Sequence, residues 1–260
     1  MAKATKNTKA MTTIKDTTSA LTTGFGALNK LDDNFTEEMN GLSAVFDRIK
    51  IPIGGVTYFE MPTDDLEKTE TVKEFSAVIL HQHAMRAYYK EKYTGGNNPP
   101  DCGSLDGMVG NGAPGGVCDR CVCNQFGSGE NGSKACKERR RLYLLQEGEV
   151  FPKILSLPTG SLKEFARYLM HCLPNYGRSC AVLTRFSLTK AINKGGIAFS
   201  KAQFRMERPL TETELAAIEP LIEQVKIISK EIIIDEPMDD VPSETVPPNV
   251  ENAGENKSAA

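Results

Sequence analysis

The chain has 260 residues, 40% of them hydrophobic and 7% aromatic with no tryptophan, enough for one sizeable core built from aliphatic side chains and phenylalanine. Its formal net charge of −3 is uneven: from Glu231 onward eight acids stand against one base, a net of −7, which leaves the preceding residues at +4 and suits a polyanion binder. No apolar run follows the N-terminal lysines and no stretch approaches the roughly 20 apolar residues of a membrane span, so a cytoplasmic chain is expected, and seven cysteines there are not a disulfide framework.

Residues 1–40 are rich in Thr, Lys, Asn and Asp and are expected to form a disordered arm. The first apolar cluster, LSAVFDRIKIPIGG, follows Gly41. VTYFEM, 56–61, reads as a strand between Gly54-Gly55 and Pro62. VKEFSAVILHQHAMRAYY, 72–89, suits a long strand or a helix segment, and the strand is the reading adopted. From Tyr93 to Lys134, Gly, Asn, Pro and Cys leave little apolar surface to bury, so something other than a core must hold this segment.

RRLYLLQE, 140–147, and VFPKILSLP, 150–158, are two strands joined by a turn at Glu147-Gly148. Ser161 and Glu164 have capping-box spacing, and Leu162, Phe165, Leu169 and Cys172 repeat at helical spacing until Pro174 and Gly177. CAVLTRFSLTKAI, 180–192, and GIAFSKAQFRME, 196–207, form a hairpin across Asn193-Lys194-Gly195-Gly196, where glycines accept positive φ. Thr211 and Glu214 then cap an amphipathic helix that ends near Lys230.

Five main strands with a helix between the third and fourth predict a mainly β chain with helices (α+β). The specific expectation is an OB-fold-like five-stranded barrel with an inserted zinc module, although a generic α+β sheet domain has nearly the same signature. The expected organisation is a disordered arm at 1–40, an OB-like domain at 41–230 with a zinc-binding insertion at 95–139, and an acidic disordered tail at 231–260.

Cys102, Cys118, Cys121 and Cys136 are spaced C-x15-C-x2-C-x14-C. The close pair lets two thiolates reach one ion from a single turn, and four thiolates make a closed, structural Zn²⁺ site. Turn formers surround them, so the metal would replace a missing core. The bland alternative is four free thiols in a loose loop. Cys123 is a spare for Cys121, and His81 or His83 can replace Cys102 if their strand lies alongside. Cys172 and Cys180 sit on apolar faces and read as core.

Directly after the insertion come Lys134, Lys137, Arg139, Arg140 and Arg141, with Tyr143 on the strand that follows. Arg185, Lys190, Lys194 and Lys201 lie along the last hairpin with Phe199 among them. Single strands need this mixture, cations to follow phosphates and aromatic faces for bases. The plain alternative is solvated cations and core aromatics.

FDRIKIPIGG, NNPPDCGSLDGMVG, GGVCDRCVCNQFGSG, KACKERRRLYLL and VLTRFSLTKAINKGGIAFSKAQF resemble a family of bacterial prophage and mobile-element proteins, mostly of unassigned function, over roughly residues 41–208. Val122-Cys123 stands where such proteins carry a proline after the C-x2-C pair. The resemblance implies work in replication or recombination. More distantly, the architecture is similar to phage single-stranded DNA-binding proteins, which join an OB fold, a zinc module and an acidic tail. A single-stranded DNA-binding protein is therefore expected, with replication or recombination proteins docking on its tail. The alternative is a zinc-ribbon module that docks on a replication or transcription protein. An enzyme is not expected: a nuclease needs clustered carboxylates for Mg²⁺, and only Asp101 and Asp106 lie near the insertion.

Overall fold

The computed structural model describes Phe25 and residues 46–63, 65, 68–91, 99–193 and 195–231. The expected arm at 1–40, Phe25 apart, lies outside the described residues, as do Lys194 and the tail beyond Glu231.

In chain order the strands are β1 (Arg48–Ile49), β2 (Phe59–Pro62), β3 (Thr69–Val72), β4 (Glu74–Tyr88), β5 (Cys102–Ser104), β6 (Val109–Gly112), β7 (Gly116–Val117), β8 (Lys137–Leu145) and β9 (Lys153–Leu157). Helix α1 (Thr159–Tyr176), strands β10 (Val182–Ile192) and β11 (Ala198–Pro209), and helix α2 (Glu212–Glu231) complete them. The chain is thus mainly β with two α-helices, an α+β arrangement.

β4 organises the molecule. One edge pairs antiparallel with β8 from Val78 to Ala87. The other pairs with β10 at Glu74–Ser76, Ala77 and Val78, and with β5 at Arg86, Ala87 and Tyr88. The sheet order β1-β9-β8-β4-β5-β6-β7 therefore forks at β4 into the β10–β11 hairpin. β1 joins β9 in parallel, and β2–β3 form a separate hairpin.

The expected five-stranded barrel is corrected to this open, forked sheet: among the described residues no strand returns to close it. The reason lies at β11. Its outer edge meets a helix instead of another strand, and the Ala202 amide donates to Ser161 Oγ at 2.9 Å. A covered edge cannot pair further. The same bond corrects the expected capping box of α1. The helix begins at Thr159, Ser161 serves the sheet, and Glu164 pairs with Lys201 and Arg167, each at 2.8 Å. At the other end Gly177 adopts φ +73° and its amide donates to Leu173 O, closing the helix.

The sheet is buried on both faces, which explains the unbroken apolar run Ala77–Leu80. Ala77, Ile79, Leu142, Leu144 and Leu155 pack under Phe165, Tyr168 and Cys172 of α1. Val78, Leu80, Tyr143 and Leu145 pack under Ile218, Leu221, Ile222 and Val225 of α2. Cys180 joins this second core, so both cysteines read as core residues are buried. Phe75 stacks on Phe186 with centroids 4.9 Å apart, and Phe186 meets Phe204 edge-on at 5.6 Å. The capping box of α2 forms as expected: the Glu214 amide donates to Thr211 Oγ1, and the Thr211 amide donates to Glu214 Oε2 at 2.8 Å.

Candidate metal and nucleic-acid site

The cysteine insertion grows from the far end of β4. β5 pairs with it there, β6 pairs with β5, and β7 with β6. Three short 3-10 turns follow, at Cys118–Arg120, Val122–Asn124 and Glu130–Gly132. Backbone bonds replace the missing core: Cys118 N donates to Met108 O at 2.8 Å, Asn124 N to Cys121 O at 3.0 Å, and Cys136 N to Cys123 O at 2.8 Å. The buried Asn124 amide donates to Cys118 O at 2.8 Å and receives Lys134 Nζ at 3.2 Å.

Cys102, Cys118, Cys121, Cys123 and Cys136 line one cavity of about 10 Å³, together with Arg86, Tyr88 and Asn124. Glycine is required beside it. A Cβ on Gly110 would lie 2.8 Å from Cys102 Sγ and 3.7 Å from Cys118 Sγ, so these two sulfurs flank one backbone position. All seven cysteines are free thiols. As the side chains stand, no three His, Cys, Asp or Glu groups among the described residues converge tightly enough to hold a metal ion.

Two observations bear on whether a tetrathiolate metal suits these residues. First, burial, followed by the proximity of Cys118, pushes the Cys136 thiol up to about 12, with Arg86 opposing the shift. A divalent cation beside these thiols would oppose that rise and favour the thiolate. Second, Arg86 Nη1 is buried without a hydrogen-bond partner among the described residues, while Nη2 approaches Glu138 at 3.4 Å and Asp119 at 3.6 Å. An orphaned buried donor beside thiols fits a thiolate acceptor. The donor set fits Zn²⁺, and the four cysteines of the expected motif are those that would hold it. Cys123 lines the same cavity and remains a fifth candidate.

His81 and His83 do not line this cavity. They lie on β4 against Tyr143, with His83 Nε2 3.4 Å from the Tyr143 hydroxyl, and burial is the leading cause that lowers both imidazoles from their ordinary value. Asp106 Oδ1 accepts the Met108 and Val109 amides and the Ser104 hydroxyl; the Val109 bond is the main cause of its lowered pKa. Asp101 accepts Lys90 N at 2.7 Å. Asp106 thus holds its own turn, and Asp101 ties the residue before β5 to Lys90 just past β4.

The basic cluster divides. Arg139, Arg141 and Tyr143 are buried, Arg141 at 1% exposure, so the expectation that they face a nucleic acid is corrected. Alternation on β8 puts residues 139, 141 and 143 on one face, the face on which Tyr143 joins the second core. Arg140 is on the opposite face, bonded to Gln82 and 6.0 Å from the Phe165 ring centroid. Arg185 is held between Glu74 and Glu207, and Lys201 by Glu164. Phe199 is half-buried over Gly160, where a Cβ would lie 2.7 Å from its ring. Lys190 is exposed near the hairpin tip, and Lys134 and Lys137 are half-buried. Lys134 Nζ bonds Glu138 at 3.4 Å, and Lys137 Nζ bonds Ser133 Oγ at 3.3 Å.

Sequence reasoning missed Arg86 and Phe126. Arg86 reaches the cavity only because β4 pairs with β5, which spacing along the chain does not reveal. Phe126 carried a signal: an aromatic in a Gly- and Asn-rich segment with nothing to bury it. It is 83% exposed, with Lys134 Nζ 5.2 Å from its ring centroid. No family model matches the chain, and no curated protein or solved structure shows a significant match to it.

Proposed function

We propose that the chain is a single-stranded DNA-binding protein of phage or mobile-element replication or recombination. A structural zinc ion held by Cys102, Cys118, Cys121 and Cys136 staples its insertion. The observation that carries the reading is the pairing of the exposed Phe126 ring with the Lys134 ammonium. A stacking face beside a cation is the unit that single strands use, and it tolerates any base sequence. The exposed Lys190 and the half-buried Lys137 add positive charge. The sequence resemblance to mobile-element proteins and the −7 charge from Glu231 onward support the biological setting, with the tail recruiting replication or recombination proteins. The reading rests on the insertion and not on an OB barrel. The test is a gel-shift series with single-stranded DNA, duplex DNA and RNA at two salt concentrations. Preference for single-stranded DNA, weakening with salt, is expected. No binding of single strands at low salt overturns it.

A protein-docking role has its own support. Met108, Val109, Val117 and Val122 are exposed on the insertion, and Val109 and Val117 are direct cross-strand neighbours. Contiguous apolar surface of this kind marks interfaces. A chain that binds no nucleic acid but loses a protein partner on Val122→Asp establishes this second reading.

A further inference from the structure

β8 carries a guanidinium into the interior. Arg141 is 1% exposed, yet its Nε and Nη1 lack hydrogen-bond partners among the described residues. The one acid on β8, Glu138, is on the opposite face and meets Arg86 and Lys134. The direct cross-strand neighbour of Arg141 is His83, and His81 stands opposite Tyr143. The rings of His81, His83 and Tyr143 are mutually in contact, with centroids 5.9, 5.9 and 5.8 Å apart. These neighbours offer the guanidinium no acceptor. His83 Nδ1 donates to Ala84 O at 3.1 Å, so the neutral ring uses Nε2 to accept from the Tyr143 hydroxyl at 3.4 Å.

The surroundings are also positive. Burial leads in lowering both imidazoles, and the charges that add to it are His83, Lys226 and Lys230 at His81, and Arg141 and Arg140 at His83. Arg139, two residues away on the same face of β8, is itself buried. A desolvated guanidinium without a counter-charge is costly, and like charges nearby raise that cost. Water supplies an acceptor but no charge. An oxyanion supplies both. On a guanidinium, Nε with Nη2 and Nη1 with Nη2 each form a parallel pair of donors, and either edge fits a carboxylate or phosphate group with two bonds.

We propose that Arg141 is the centre of a binding site for a small free oxyanion of the phosphate class, which enters past the half-buried His83. Burial sets the size of the ligand. At 1% exposure the guanidinium does not meet a polymer backbone, so the site stands apart from the single-stranded DNA interface and does not depend on that reading.

The test uses the full chain and inorganic phosphate. Thermal melts of wild type and Arg141→Met are compared in phosphate and in chloride at equal ionic strength. The Arg141 Nε–H and His83 ring resonances are followed by NMR during a phosphate titration. A saturable rise in the wild-type Tm is expected, about 5–10 °C once phosphate exceeds its dissociation constant about a hundredfold. Both resonances should move, and Arg141→Met should show no saturable rise. An equal, unsaturating rise in both proteins, with unmoved resonances, reflects exclusion of phosphate from the surface and overturns the inference. A third outcome is that Arg141→Met is less stable than wild type in chloride, and that Asp32→Asn/Asp33→Asn or Glu37→Gln/Glu38→Gln suppresses the loss. That assigns the guanidinium to a carboxylate within residues 26–45, which lie outside the described residues, and also overturns the inference. If Arg141→Met fails to fold, the wild-type titration decides alone: unmoved resonances overturn the proposal.

Discussion

The Lys134 ammonium lies 5.2 Å from the centroid of the Phe126 ring, at the outer face of the cysteine insertion. Asn124 Oδ1 and Glu138 Oε1 hold the same ammonium at 3.2 and 3.4 Å. The insertion therefore presents a stacking surface whose cation is held by the side chains of Asn124 and Glu138. Phe126→Ala is expected to weaken single-stranded DNA binding by about 1–3 kcal/mol. Folding stability should change by less than about 0.5 kcal/mol, because the ring is exposed. Gel shift and thermal melting of the same preparation check both.

Substituting Lys134, Lys137 and Lys190 together by Ala should reduce affinity for all single-stranded sequences. The slope of log affinity against log salt should flatten by up to about 2, at roughly 0.7 per phosphate contact. Affinity measured across a salt series is the readout.

Arg141 behaves oppositely because it is buried, with Nε and Nη1 lacking hydrogen-bond partners among the described residues. An apolar side chain of similar length removes a desolvated charge. Arg141→Met should be neutral or stabilising by about 1–4 kcal/mol and leave the DNA salt slope unchanged. Denaturant titration and gel shift together check it.

Protein purified without chelator should contain about one zinc per chain. Cys118→Ser and Cys136→Ser should abolish retention. Arg86→Met keeps every thiol but removes the buried donor beside them, and it should weaken metal retention by about 10–100-fold. Elemental analysis and competition with a chromophoric chelator supply the measurement.

Arg208 holds Glu214 at about 2, well below the ordinary value of 4.5, with the Thr211 amide and hydroxyl assisting. A carboxyl depressed in the folded state contributes stability above its unfolded pKa, and that contribution is lost as pH falls through the folded one. Here the loss runs from about pH 4.5 down to about 2. Glu214→Gln should cost about 1.5–3 kcal/mol at pH 7, and the deficit should vanish near pH 2. Denaturant melts at a series of pH values trace it.

The sequence by itself determined the periodic elements and the inventory of thiols. β4 is legible because its alternation is replaced by an apolar run, and the α2 start because Thr211 and Glu214 need only each other. The C-x2-C pair is legible for the same reason, since its geometry is local. Tertiary structure decided the rest. Ser161 has a capping residue's spacing, yet it accepts the Ala202 amide of a strand 41 residues away. That bond helps leave the sheet open where an OB barrel was expected. Arg139, Arg141 and Tyr143 look like a nucleic-acid stripe along the chain, but β8 alternates and α2 lies on the side of the sheet that they face. Which face a residue occupies follows from the period of its own strand. Whether that face meets water or a helix depends on chain far away in sequence, and no local pattern encodes it.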